Sequence, residues 1–455
     1  MNKFIENNYA PIFDEVNCNN ITDITGEIPK ELNGALYRNG PNPQFPSDHA
    51  HWFEGDGMLH KFSICDGKVD YCNRWILTDR FKIERQAGKA LFDALGGEVN
   101  DEYNIETMQQ GTANTNIILH GNKLLALQEN SPAIEMDQKD LKTIGAWDYL
   151  GKVPQTSAHP HFDYETGEMH NFAYNPHSTE IIYYIFDKLG NVIKTEKFNG
   201  PFSCFMHDFI ITKNYALFLF LPLTFNFERA KHGESLIMWE HDLGSHIAIM
   251  PRHGHAKDII WFDTSSFHAY HYMNAYEVND KIVLDCMKSL QANLFPDKTG
   301  EIPSLDQNYP CLTRMTLSLQ QRKVTETPLD SIPAEFPRFD ERYTGVPYQH
   351  GFVTANTHKN ITEEFSAIIH YDLKNQSQKI CDFGIKNIPS EPVFVPRHKN
   401  SVEGDGFILT VVYQAAKNKS DLYILDAMNI DKEPLAIVHL PQRVPYGFHG
   451  NWYDK

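Results

Sequence analysis

Hydrophobic and polar positions along this chain alternate in short runs, separated by turn-forming pairs rather than by long 3.6-period stretches. The segment "MLHKFSICDGKVDYCNRWIL" (58–77) holds two β-rich runs around Asp66-Gly67, a pair that favours a tight hairpin turn. "TNIILHGNKLLALQENSPAIEMD" (115–137) repeats the arrangement around Gly121-Asn122. The same unit returns in "EIIYYIFDKLGNVIKTEKF", "FMHDFIITKNYALFLF", "MNAYEVNDKIVLDCM", "FSAIIHYDLKNQSQKICDFG" and "GDGFILTVVYQAAKNKSDLYILDAM". Many short antiparallel strands joined by polar turns predict an all-β fold, a sandwich, barrel or propeller. For 455 residues the economical choice is a β-propeller, a single domain over 1–455 in which four-stranded blades use the whole chain. No fixed-length repeat with its own signature is visible, which excludes a WD40-type array.

A few segments break the strand pattern. "RQAGKALFDALGG" (85–97) places Ala87, Leu91, Ala94 and Leu95 on one face and ends in Gly96-Gly97, which predicts an amphipathic helix. "NFERAKHGESLIMWEHDLG" is a weaker helical candidate beside the longest apolar stretch, "YALFLFLPLTFNF" (215–227). These pieces predict caps over a core, or an apolar lip that takes in a lipid-soluble substrate. The proline-rich and charged segment 325–347 reads as a long ordered excursion between blades.

Composition narrows the function. A hydrophobic content of 41% with 12% aromatic residues supports a large core and argues against disorder. The formal charge of -18 argues against nucleic acid as a partner, since phosphate-backbone binding needs a basic face. Seven scattered cysteines without a CxxC pair point to neither a zinc site nor a disulfide framework, and only Cys65 and Cys72 face each other across a possible hairpin. A reducing, cytoplasmic compartment is expected. The first residues lack the apolar core of a secretory signal, and no apolar run reaches the roughly 18 residues of a spanning helix. Contact with a membrane is expected at most from outside, at its periphery.

Among 22 histidines, four sit beside strands in similar settings: His159 in "SAHPHFD", His207 in "CFMHDFIITKNY", His271 in "FHAYHYMNAYE" and His449 in "YGFHGNWY". They are too far apart for a local zinc motif and could meet only in a fold that returns on itself, as a propeller does. Four neutral imidazoles suit a divalent first-row metal such as iron, zinc, copper or nickel, and ligand type alone does not name it. No strand, G-x-G-x-x-G and helix setting for a dinucleotide accompanies them.

These residues also carry a resemblance. The chain resembles the carotenoid cleavage oxygenase family, non-haem iron enzymes that include carotenoid, apocarotenoid and lignostilbene dioxygenases and a retinoid isomerase. The matching pieces run in order from "ELNGALYRNGPNP" (31–43) and "HWFEGDGMLHKF" (51–62) through "AHPHFD", "MHDFIITKNY", "HYMNAYE", "AEFPRFDERYTG" and "PSEPVFVPR" to "GFHGNW". The resemblance implies a seven-bladed β-propeller with an apolar helical or loop cap over an axial metal site, and Fe(2+) held by His159, His207, His271 and His449. It implies that Glu129, Glu335 and Glu391 buttress three of these histidines and leave His159 without a carboxylate partner. His161 becomes a solvated or outer residue, and His253, His255 and His268 become structural. A threonine near an open iron position matches Thr115.

The implied reaction inserts both atoms of O2 across a carbon-carbon double bond of a lipophilic alkene to give two carbonyl products, the electrons coming from the substrate. Gln128 stands where stilbene-cleaving relatives carry a lysine for the phenolate, and where carotenoid-cleaving ones often carry an apolar residue. The expected substrate is a carotenoid or apocarotenoid, taken up through a lip formed by 215–227 and the 85–97 helix. A stilbene-type alkene is the alternative, as is isomerisation on the same iron scaffold.

Overall fold

The computed structural model describes residues 2–47, 51–92, 111–304, 308–358 and 364–455. Within them the chain forms seven antiparallel sheets of four to six strands, the blades of a β-propeller, and one extra two-stranded ribbon, Leu223–Phe225 with Ile237–Trp239. One sheet orders Asn116–His120, Lys123–Leu127, Ala133–Met136 and Thr143–Trp147 in sequence, and others follow the same meander from His161–Phe162, Ile210–Ile211, Tyr272–Val278 and Ala334–Phe339. Two sheets mix the ends of the chain. Gly450–Asp454 pairs with Gly34–Pro41, and Ile24–Gly26 pairs with Ala436–His439.

The hairpins follow from their turn residues. Asp66 and Gly67 take φ of 49° and 72°, the left-handed pair of a type I′ turn, with Cys65 opposite Lys68. Gly121 and Asn122 do the same at 56° and 63° between His120 and Lys123. That register puts Cys72 opposite Lys61, and all seven cysteines are free thiols. Position within a sheet also shows in the sequence: Met169–Tyr174 is buried throughout, whereas the outer strand Val192–Asn199 alternates half-buried and exposed residues over most of its length.

Two compact units organise the packing. The first comprises 1–158, 366–371 and 377–455, the second 159–365 and 372–376. The first has a core around Leu36, Phe62, Phe407, Leu409 and Val438. The second packs Phe172, Tyr183, Phe209, Phe218 and Phe220 in one cluster and Leu217, Leu219, Ile247 and Phe267 in another. Phe218 is fully buried, with its ring centroid 5.5 Å from that of Phe209 and 5.1 Å from that of Phe198. Phe218→Ala should destabilise the protein by about 3–5 kcal/mol through lost transfer energy and the cavity left behind. A lower urea midpoint at unchanged slope would register it.

The helical expectations need correction. The helix of this region is Asp79–Ala87, started by the Thr78 hydroxyl accepting from Phe81 N–H and stopped at Gly88, left-handed at φ 69°. A glycine that already ends the helix at 88 outweighs the apolar spacing beyond it; of the expected segment, 93–97 lies outside the described residues. The second candidate shrinks to Phe227–Lys231, followed by the strand Ile237–Trp239. Most of the 215–227 run is core rather than lip: Tyr215–Phe220 is a strand whose residues 216–220 are fully buried, and beyond it partial exposure begins only at Phe225. Most of 325–347 is regular as well, since Lys323–Pro328 and Ala334–Phe339 leave only 329–333 between them. Pro337 fits within the second strand because it sits at a register shift between Glu335 and Arg338. Among the described residues no helix is long and apolar enough to cross a membrane.

Candidate metal centre

Each of the four histidines singled out by the sequence stands just ahead of a strand. His271 and His449 immediately precede Tyr272–Val278 and Gly450–Asp454, His159 lies two residues before His161–Phe162, and His207 three before Ile210–Ile211. A strand entrance is fixed by the ladder behind it yet leaves its own side chain free of the pleat, which suits a side chain that must be held still and still reach a ligand.

In the second unit three rings converge. Nε2 of His207 lies 3.0 Å from Nε2 of His159 and 3.2 Å from Nε2 of His271. Nδ1 of His271 donates to Glu335 Oε2 at 2.6 Å, and the same oxygen accepts from Phe336 N–H at 2.7 Å. A carboxylate only accepts, so His271 carries its proton on Nδ1 and turns a bare lone pair on Nε2 towards His207. Aromatic rings close round the group: Phe205 lies nearly parallel to His207 at 6.0 Å, Tyr270 is edge-on to it at 5.5 Å, and Phe336 stacks on His271 at 5.5 Å. Nearby His268 is held neutral, its pKa lowered to about 3 by burial and then by His207 and His271.

In the first unit His449 is oriented in the same manner. Its Nδ1 donates to Glu391 Oε1 at 2.8 Å, and Gly450 N–H donates to Glu391 Oε2 at 2.8 Å. Its Nε2 is therefore the unprotonated nitrogen too. Thr115 is buried, and its carbonyl accepts from His449 N–H at 3.1 Å while its hydroxyl donates to Asn114 Oδ1 at 2.9 Å. Gln128 turns its side-chain oxygen to the backbone N–H groups of Thr112 and Ala113. Glu129 is half-buried, two residues beyond the strand Lys123–Leu127.

Of the two roles expected for His161, solvated or outer, the contacts fit the outer one, because its Nε2 donates to Phe209 O at 2.6 Å and to Asp208 Oδ1 at 3.2 Å. Asp208 itself, 4% exposed, went unremarked although it directly follows a candidate ligand. An acidic residue in that position was the available signal. Phe205, Tyr270 and Phe336 carried none, since an aromatic residue beside a strand usually means core.

The donor set fits a metal ion. Three imidazole nitrogens lie within 4.8 Å of one another, one of them held by its carboxylate in the tautomer that offers a lone pair, and such a donor set suits a divalent first-row cation. The carboxylate behind His271 is the outer support that metal-bound histidines commonly have.

Comparison with known proteins agrees. Residues 9–454 match the family model described as retinal pigment epithelial membrane protein. Isoeugenol monooxygenase of Pseudomonas nitroreducens is 35% identical over 450 residues, 95% of this chain and 94% of the relative. Lignostilbene-alpha,beta-dioxygenase isozyme III of Sphingomonas paucimobilis is also 35% identical, over 95% of this chain and 93% of its own. The crystal structure of Pseudomonas brassicacearum lignostilbene dioxygenase superposes with a TM-score of 0.93 at 30% identity, covering 99% of this chain and 98% of that one. With propeller, histidine group and full-length similarity in accord, the chain belongs to the retinal pigment epithelial membrane protein family of carotenoid cleavage oxygenases, the non-haem iron enzymes that cleave alkene double bonds with O2.

Proposed function

We propose that His159, His207, His271 and His449 hold Fe(2+), and that the enzyme splits the double bond of an aryl-conjugated alkene, a propenylphenol or hydroxystilbene, into two carbonyl compounds. The observation that carries the metal reading is the convergence of three Nε2 atoms at 3.0 and 3.2 Å. His449, with its Nδ1 proton committed to Glu391, is suited to supply the fourth nitrogen.

Bound ferrous iron would supply the oxygen chemistry, with both electron pairs drawn from the alkene and no external reductant. The chain's own residues do the rest. Glu335 and Glu391 keep His271 and His449 in the tautomer that can ligate. Phe205, Tyr270 and Phe336 exclude water beside the histidines and offer apolar faces to a planar substrate. Thr115, through its carbonyl, steadies the backbone of His449.

The substrate class rests on two supports. The relatives at 35% identity act, by their names, on isoeugenol and lignostilbene. Most of the apolar 215–227 run, which was expected to form a lip for a lipid-soluble polyene, is committed to the core. A carotenoid or apocarotenoid stays as the second reading, favoured by Gln128 in place of a phenolate-binding lysine and by relatives such as the carotenoid 9,10(9',10')-cleavage dioxygenase of Pisum sativum, 32% identical.

Incubation under 18O2 with isoeugenol, hydroxystilbenes and apocarotenals, with aldehydes reduced in place to prevent exchange with water, tests this. One labelled oxygen in each product of an aryl alkene is expected. Label in apocarotenal products alone would establish the second reading, and an isomerised alkene without O2 uptake would overturn both.

A further inference from the structure

We propose that Asp208 is a positioning residue that ties the segments bearing His159, His207 and His271 into one frame, with His161 as its arm to the first. The inference rests on the metal centre proposed above and goes beyond its ligands and glutamates.

The contacts of Asp208 supply that hold. Its Oδ1 accepts from Phe209 N–H at 2.8 Å, which folds the carboxylate back over the turn that follows His207. Its Oδ2 accepts from Tyr272 N–H at 3.4 Å, the residue immediately after His271. The third contact comes from His161, two residues after His159, whose Nε2 lies 3.2 Å from Oδ1. Because both partners of that nitrogen, Asp208 Oδ1 and Phe209 O, are acceptors, Nε2 must bear the proton. One buried carboxylate thus takes N–H groups from positions one or two residues beyond each of three candidate ligands. This assigns roles to His-Pro-His: His159 faces the metal, Pro160 limits the backbone between, and His161 reaches the neighbouring segment. Charge-assisted bonds to a buried carboxylate are strong and directional, which is what a frame requires.

The test is the rate at which iron leaves the anaerobically loaded enzyme for a ferrous chelator, with the visible spectrum of the cobalt-substituted protein as a second readout. Asp208→Ala should release iron about 10–100-fold faster, the range typical for loss of an outer support, and should alter the cobalt bands. His161→Ala should shift both readouts the same way by less. Asp208→Asn, which keeps one accepting oxygen, should fall between Asp208→Ala and wild type. If His161 acts through Asp208, the double variant His161→Ala/Asp208→Ala should be no worse than Asp208→Ala alone. A merely structural role would lower thermal stability and leave the cobalt spectrum unmoved. Wild-type release rate and spectrum in Asp208→Ala overturn the proposal, and if that variant does not fold, the same result in His161→Ala does. Wild-type protein that takes up no iron would instead overturn the metal centre, so the two failures are distinguishable.

Discussion

His207→Ala is expected to strip the protein of iron and end turnover, the largest single-residue effect in the molecule. His207 is the ring whose Nε2 lies 3.0 Å from that of His159 and 3.2 Å from that of His271. Its removal leaves His159 and His271 without the nitrogen between them. Loss of an outer support typically costs 10–100-fold in affinity, and loss of a ligand should exceed that, so iron should fall from near one per chain to below about one-tenth. Metal analysis after anaerobic dialysis, together with product formation from an aryl alkene, measures both. The fold should survive, because His207 is not part of the aromatic core and its neighbours Met206 and Phe209 remain buried there. Near-stoichiometric iron with turnover retained would show that the convergence is not the metal site.

How much of this could be read from the sequence differs by element. Hairpins were legible because Asp66-Gly67 and Gly121-Asn122 are local instructions, needing only their own φ angles. The four histidines are singled out by their flanking motifs, while spacing alone does not separate His159 from His161 or His271 from His268. The helix end was misread because a face of apolar residues beyond Gly88 looked helical, whereas the cap decides where a helix stops. The 215–227 run misled for another reason: hydrophobicity reports a need for burial and does not say by what. Strand residues buried on both faces and a lipid-facing lip have the same composition. Asp208 was hidden because its partners, Phe209, Tyr272 and His161, meet it only after folding, and two of the three contacts are to backbone.

The second large effect is a difference between two glutamates that the sequence treats alike. Glu391→Gln should damage the metal centre far more than Glu335→Gln. At Glu335 one oxygen, Oε2, accepts from both His271 Nδ1 and Phe336 N–H, and Oε1 is buried without a hydrogen bond. A glutamine there can keep its carbonyl oxygen on both donors and put its NH2 in the vacant place, losing charge and leaving one buried donor unmet. At Glu391 each oxygen has its own donor, His449 Nδ1 on Oε1 and Gly450 N–H on Oε2. A glutamine must then set its NH2 against one of these N–H groups. Facing Gly450, it disturbs the backbone that follows His449; facing His449, it drives the ring proton to Nε2 and removes the lone pair a metal needs. A buried donor left unmet costs about 1–3 kcal/mol, and 1.4 kcal/mol is about tenfold in an equilibrium constant. With two facing donors and a displaced tautomer, Glu391→Gln should weaken iron binding by about 100-fold, and Glu335→Gln by about tenfold. Competition with a ferrous chelator ranks the two variants. Equal losses would mean that the negative charge itself, and not the direction of its hydrogen bonds, is what each glutamate contributes.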